Sequence, residues 1–204
     1  MAIKETREYR NFNSYEIREK DDEGYVVEGY AALFDEPYTL WKDEDGHEYK
    51  EVIRSDAFTE TDVRDIIFLY NHEGMVYART KNKSLTVTID EKGIKVRADL
   101  SLTNGARELF ESIKTGLVDQ MSWAFTIKDQ SYDKKTRTRS VDAVEKIYDV
   151  SAVSIPANPA TSISARSFVD GVIEAERAER LEAEQREAVK KRIRIIAEAI
   201  KNGN

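Results

Sequence analysis

The 204-residue chain has no cysteine and only two histidines, His47 and His72. Without cysteine there can be no disulfide, no thiolate nucleophile and no thiolate metal ligand. Two histidines with no H-x-x-x-H pair also leave a zinc hydrolase short of ligands. No apolar run approaches the roughly 18 residues of a membrane span. The first residues, Met1 to Glu8, lack the apolar core of a signal peptide. The net charge of −7 comes without a basic stripe of the kind a nucleic-acid surface needs. These absences predict a soluble intracellular protein with no cofactor, no metal, no nucleic-acid partner and no membrane partner. Any nucleophile must be a serine or threonine hydroxyl, with one of the two imidazoles as its base.

What is present divides near residue 168. Residues 1–167 read as a β-rich domain and residues 168–204 as a charged helical tail. Gly24 to Phe34 has the β-branched and aromatic content of a strand. Ser84 to Ile89 alternates with period two, Asp90-Glu91-Lys92-Gly93 supplies a turn, and Ile94 to Ala98 resumes the alternation, which predicts a hairpin. One helix is expected from a cap at Thr103 or Asn104 to a stop at Gly116, with Ala106, Leu109, Phe110 and Ile113 as its apolar stripe. Further strands are expected at 119–128 and about 144–155, and Pro156-Ala157-Asn158-Pro159 closes the domain outside regular structure.

The tail has helix-forming composition, with no aromatic residue and no proline after Phe168. Its first half is acidic (Glu174 to Glu187) and its second basic (Lys190 to Lys201). Val189, Ile193, Ile196 and Ile200 fall on one face at helical spacing. That pattern fits a solvated helix docked by its last turns, and equally a partner-binding or scaffold-like segment, since so polar a helix buries little surface alone.

Three stretches could carry chemistry. Ile66 to His72 reads as a buried strand delivering an imidazole to a loop mouth, whereas His47 lies in a hydrophilic turn. A base must be held rigidly, so His72 is the better candidate, although a strand-end histidine bonded to a neighbour has the same signature. In Met121 to Ile127, Met121, Trp123, Phe125 and Ile127 share one large apolar face, and Ser122, Ala124 and Thr126 share a small one. The small face leaves room for an extended substrate beside Ser122; an ordinary solvent-facing serine would look the same. In Ile147 to Ile155, Asp149 falls on the face of Ile147 and Val153. A carboxylate among apolar neighbours needs a partner: an imidazole N–H, a turn or an arginine.

The order His72, Ser122, Asp149, with the sequence around each, resembles the prohead maturation proteases of tailed bacteriophages, distant relatives of the herpesvirus assemblins. The resemblance runs from about Gly29 to Ala165. It includes Gly29-Tyr30-Ala31-Ala32-Leu33-Phe34, Glu51-Val52-Ile53, Asp56-Ala57-Phe58, Asn71-His72-Glu73 and Ala78-Arg79-Thr80. It continues through Gly116, Ser122-Trp123-Ala124-Phe125, Asp149-Val150-Ser151 and Pro156-Ala157-Asn158-Pro159-Ala160. Ala78 stands where the family usually has glycine, so a different backbone shape is expected in the loop after the histidine. Ser-Trp-Ala-Phe replaces the common Ser-Phe-Gly-Phe, and Asp149 takes a place that is glutamate in many members. The herpesvirus relatives stabilise the oxyanion with neighbouring arginines, and this chain has no Arg-Arg pair.

The resemblance implies an α+β, mainly β fold: an assemblin-like β-barrel with flanking helices, here followed by the C-terminal helical tail. It implies a serine endopeptidase in which Ser122 attacks, His72 moves the proton and Asp149 orients the ring. Its substrate would be the scaffold protein or the scaffolding part of the major capsid protein, and also itself, with the segment Arg166–Gly171 as an exposed self-cleavage region. The expected setting is the bacterial host cytoplasm, inside the phage procapsid, with the gene in a phage or prophage and the protein a homo-oligomer. The rival reading is a non-enzymatic capsid scaffold or assembly factor that keeps the barrel and works through its tail; such a protein has no need of His72, Ser122 and Asp149 together.

Overall fold

A computed structural model describes residues 7–12, 18–19, 24–154 and 163–202; within these, 11–12, 18–19, 163–170, 196–197 and 199–202 are described by backbone alone. Contacts divide the chain into two units, Met1–Ala165 and Arg166–Asn204.

The first unit is mainly β, with two sheets, one α-helix and two short 3-10 helices among the described residues. The smaller sheet has the order β2-β3-β9-β8, from β2 (Arg18–Glu19), β3 (Val26–Leu33), β8 (Leu85–Ile89) and β9 (Gly93–Asp99). Strands β8 and β9 form the expected hairpin: Asp90 Oδ1 accepts from the backbone N–H of Lys92 and of Gly93, both at 2.9 Å. Gly93 is required there, because a Cβ would lie 2.0 Å from the carbonyl oxygen of Ala32 on β3.

The larger sheet has seven strands: β1 (Glu8–Phe12), β4 (Tyr38–Lys42), β5 (Glu48–Ile53), β6 (Ile67–Tyr70), β7 (Glu73–Arg79), β10 (Gln120–Asp133) and β11 (Thr138–Val153). Its axis is β11, which pairs antiparallel with β10 along one edge. Along the other edge β11 takes β5 and β6 one after the other, both parallel. Strands β10 and β11 run longer than the sequence pattern suggests: the exposed end of β10 continues the hairpin along the first half of β11, which itself still places Val141 and Val144 in the core.

Helix α1 (Asn104–Lys114) is capped by Thr103, whose hydroxyl oxygen accepts from the N–H of Ala106 at 3.1 Å. Its buried residues are the four of the expected stripe, Ala106, Leu109, Phe110 and Ile113. Gly116, in the left-handed region at φ 74°, ends it. These residues join Val27, Ile94 and Val96 of the smaller sheet and Trp123, Phe125 and Val150 of the larger in one core cluster. The closed barrel is not seen. Among the described residues both sheets are open, enclosing a shared core without a continuous ring of paired strands. The fold is therefore α+β and mainly β.

The second unit is built on helix α2 (Ile163–Asn202), forty residues long. The segment Arg166–Gly171, expected as an exposed self-cleavage region, is helical. Of the expected stripe, Val189 and Ile193 are more than half exposed, as are Leu181 and Ile195, while the side chains of Ile196 and Ile200 lie outside the described residues. Its visible ion pairs, Arg186–Glu182, Lys190–Glu187 and Arg194–Glu198, are within the helix at i,i+3 or i,i+4 spacing. No described helix is long and apolar enough to cross a membrane. The Pro156-Ala157-Asn158-Pro159 segment also lies outside the described residues.

Candidate active site

His72 is presented by the hairpin between β6 and β7. Strand β6 lies parallel to β11 with Ile67 beside Asp149 and Tyr70 beside Ala152, so the turn emerges where β11 ends. Tyr70 pairs with Glu73 across a two-residue turn, Asn71-His72, and both turn residues are left-handed, with φ of 52° and 60°. This is type I′ geometry, which asparagine tolerates well and histidine less so. Asn71 pins the turn: its N–H donates to the carbonyl of Ala152 at 2.9 Å, and its Oδ1 accepts from the N–H of Ser154 at 3.0 Å. The histidine is therefore in the turn itself, and the segment after it is strand β7. Ala78 belongs to that strand opposite Phe68, in the core, so no loop of altered shape follows the imidazole.

Ser122 and Asp149 sit on neighbouring strands, two residues out of direct register: Ser122 pairs with Ser151, and Ala124 with Asp149. The next pair is Phe125 with Ile147, so Tyr148 is an extra residue on β11, a β-bulge. The bulge corrects the expected face of Asp149. Ile147 turns to the core side with Phe125, and Asp149 turns to the opposite side, with Ser122 and Ser151. A one-residue slip in a strand exchanges its faces, and here it moves the carboxylate from the oil to the serine.

The three side chains meet. His72 Nδ1 lies 2.6 Å from Asp149 Oδ1, and Nε2 lies 2.6 Å from Ser122 Oγ. With Nδ1–H donated to the carboxylate, Nε2 carries a lone pair toward the serine hydroxyl. Of the partners open to Asp149, the imidazole is the one it takes, together with Ser151, whose hydroxyl donates to the same Oδ1 at 2.9 Å. Ser151 Oγ is also 3.1 Å from His72 Nδ1. The ring of Tyr9 packs edge-on against His72 with centroids 4.7 Å apart. Such an arrangement can abstract a proton from Ser122 and hold the resulting imidazolium.

The open substrate face is not there. Ser122 has no exposed surface, and β1 runs antiparallel along the free edge of β10 with Asn11 opposite Ser122. The carbonyl oxygen of Arg10 is 3.0 Å from Ser122 Oγ, within reach of its hydroxyl proton. The Arg10 side chain enters a buried ionic cluster: Nε and Nη2 donate to Glu51 Oε1 and Oε2 at 2.5 and 2.8 Å, and Nη2 also donates to Glu8. Arg139 completes the cluster, donating to Glu8 Oε1 at 2.8 Å and to Glu51 Oε2 at 2.9 Å. Tyr38 donates its hydroxyl to Glu51.

Burial alone pushes the Glu51 carboxyl up, but Arg10, Arg139 and the Tyr38 hydroxyl outweigh it and hold Glu51 at about 2. Burial likewise opposes the charge on Arg10, and the pairing with Glu51 reverses that, raising its proton affinity well above the ordinary value. Burial and the Glu51 charge raise Tyr38.

His47 is elsewhere in use, its Nδ1 2.9 Å from Asp43 Oδ2 in the turn between β4 and β5. Asp43, Asp45 and His47 bring possible ligand atoms within 4.8 Å of one another, a partly exposed group with no further feature pointing to a cation. Sequence reasoning missed Ser151, Tyr9, Arg10 and Glu51. Ser151 was findable from its i,i+2 spacing to Asp149; Arg10 and Glu51, 41 residues apart, offered no local signal.

The caudovirus prohead serine protease family matches residues 13–172, most of the chain. The prohead protease of Enterobacteria phage HK97 is 28% identical over 167 residues, covering 79% of this chain and 69% of that protein. No solved structure gives a significant match. The chain belongs to the caudovirus prohead serine proteases, hydrolases of bacteriophage capsid maturation.

Proposed function

We propose that the chain is an endopeptidase of the Ser-His-Asp type, with Ser122 as nucleophile, His72 as general base and acid, and Asp149 as the group that orients and compensates the ring. The observation that carries this reading is the continuous line Ser122 Oγ, His72 Nε2, His72 Nδ1, Asp149 Oδ1, with both links at 2.6 Å. As Ser122 Oγ bonds to the scissile carbonyl carbon, its proton passes to Nε2, and the imidazolium is held by the buried carboxylate. The same proton then goes to the leaving amine, and water resolves the acyl-serine by the reverse route. Ser151 positions Asp149: its hydroxyl occupies a lone pair of Oδ1 and fixes the carboxylate's rotation.

The substrate in this reading is the scaffold protein or the scaffolding part of the major capsid protein, and the enzyme's own chain as well. The work is done in the host cytoplasm, inside the procapsid. An assemblin-like enclosure is part of the proposal, supported by two sheets that share one core. Residues 168–204 serve as the recruiting tail, since α2 exposes Leu181, Val189 and Ile193 and carries acidic and basic halves that suit antiparallel pairing with a scaffold helix or a second copy. The test is co-expression with the capsid protein, followed by mass spectrometry of the products. Capsid protein shortened by the full chain and left whole by Ser122→Ala supports the reading; identical products from both overturn it.

A further inference from the structure

Strand β10 has two edges, and both are taken: β11 holds one and β1 the other. An extended peptide that is to reach Ser122 by adding to β10 has no edge left while β1 is seated. Strand β1 already does what such a peptide would do. It runs antiparallel to the nucleophile strand from Glu8–Phe125 to Phe12–Met121, it brings a main-chain carbonyl to within 3.0 Å of Ser122 Oγ, and it seals that hydroxyl from solvent. It is also short, and it precedes residue 13, where the match to the protease family begins.

We propose that β1 is a surrogate for substrate, so that the site takes an extended peptide with an acid two residues before a base, the base at the residue whose carbonyl meets Ser122, and the full chain is latent until β1 leaves. This rests on Ser122 being the nucleophile. The recognition code is read from the ionic cluster, which divides cleanly between β1 and the rest of the unit. Glu8 and Arg10 belong to β1, two residues apart and on one face. Arg139 receives Glu8 through both guanidinium Nη atoms, at 3.0 and 2.8 Å, and Glu51 receives Arg10 through both carboxylate oxygens. When β1 departs, Glu51 and Arg139 keep each other at 2.9 Å, so the receiving half is not left with an unpaired charge. A substrate strand with the same acid-x-base order restores both forks, and one with the order reversed places like charges together.

Latency follows from counting protons. The Ser122 hydroxyl has one hydrogen and two acceptors in reach, His72 Nε2 at 2.6 Å and the Arg10 carbonyl at 3.0 Å. A hydrogen turned to Arg10 is not available to the base. Tyr9 covers His72 from the same strand, and the Arg7 guanidinium lies 3.9 Å from the ring centre of Tyr148, the bulge residue beside Asp149. The five-residue strand therefore contacts Ser122 and covers His72, and the residue just before it lies over the neighbour of Asp149.

The experiment uses the full chain and Glu8→Ala/Arg10→Ala, which removes one acid and one base together. Reaction of Ser122 with a fluorophosphonate is followed by intact mass. Reactivity scales with the fraction of molecules in which β1 is displaced, so the double variant should react about tenfold faster or more. A peptide with the sequence of residues 7–12 should slow the double variant, and the same peptide with its Glu8 and Arg10 counterparts exchanged should not. Equal rates in the full chain and the variant overturn the proposal while leaving Ser122 as nucleophile. Equal protection by both peptides overturns the recognition code. No reaction in either chain sinks the assignment of Ser122 itself. If the double variant does not fold, hydrogen exchange on the unaltered chain decides: β1 amides should open about tenfold more readily than those of β10 and β11, and equal protection makes β1 an integral wall.

Discussion

Asp149→Asn isolates the charge of the third residue with almost no change in volume. The carboxylate oxygen it alters is 2.6 Å from His72 Nδ1 and 2.9 Å from Ser151 Oγ. If the new amide turns its oxygen to the ring, the tautomer survives but the imidazolium loses its counter-charge. Unit charges about 4 Å apart interact by about 4 kcal/mol at an effective dielectric of about 20, and 1.36 kcal/mol is a factor of ten, so this alone costs about 10³ in rate. If the amide turns its NH₂ to the ring, Nδ1 becomes an acceptor and the proton moves to Nε2, which can then no longer take one from Ser122. The two effects together reach the order of 10⁴, the loss known for the analogous change in the serine-protease template. The assay is the time course of capsid-protein processing by co-expressed variant and parent, with circular dichroism to show an intact fold. A folded Asp149→Asn chain that processes within about tenfold of the parent would refute the orienting role. Unfolding without a separable kinetic effect would make Asp149 structural instead.

Ser151→Ala removes one hydrogen bond to the Asp149 carboxylate, worth about 1 kcal/mol, so processing should slow by about fivefold with thermal stability nearly unchanged; an unaffected rate removes Ser151 from the positioning shell. Glu51 is ordinarily near 4.5 and is held at about 2 in the folded chain, so its contribution is complete above about 4.5 and is lost as pH falls toward 2. That contribution is about 3 kcal/mol, and denaturant titrations across the window should show it in the parent and not in Glu51→Gln. A chain ending at Ser167 should stay folded with its site intact but fail to enter procapsids, as measured by its copy number in purified particles; normal packaging would refute the recruiting role of residues 168–204.

Local patterns carried much of the fold. The cap at Thr103, the stripe Ala106, Leu109, Phe110, Ile113 and the stop at Gly116 all act within a few residues, and α1 obeys them. The alternation in Ser84–Ala98 is equally local and became β8 and β9. His72, Ser122 and Asp149 were singled out by motif, and the structure brings them together. What escaped depends on distant partners. Tyr148 looks like any strand residue, and only its pairing with β10 makes it a bulge and sets the face of Asp149. Glu8-Tyr9-Arg10 reads as polar surface, because charge in a sequence signals exposure unless its counter-charges are known; they are Glu51 and Arg139, far along the chain. The closed barrel was an inference from kinship, and strand pairing among the described residues leaves both sheets open.

The claim that Ser122 is the activated nucleophile is tested most directly by mapping covalent label to a residue. The full chain, co-expressed with the capsid protein, is exposed to a fluorophosphonate to completion and digested for peptide mass spectrometry. The account predicts a single adduct on Ser122, absent in Ser122→Ala and in His72→Ala and retained in His47→Ala, whose imidazole is engaged with Asp43. An adduct on another serine, one that persists without His72, or none in the full chain would contradict it.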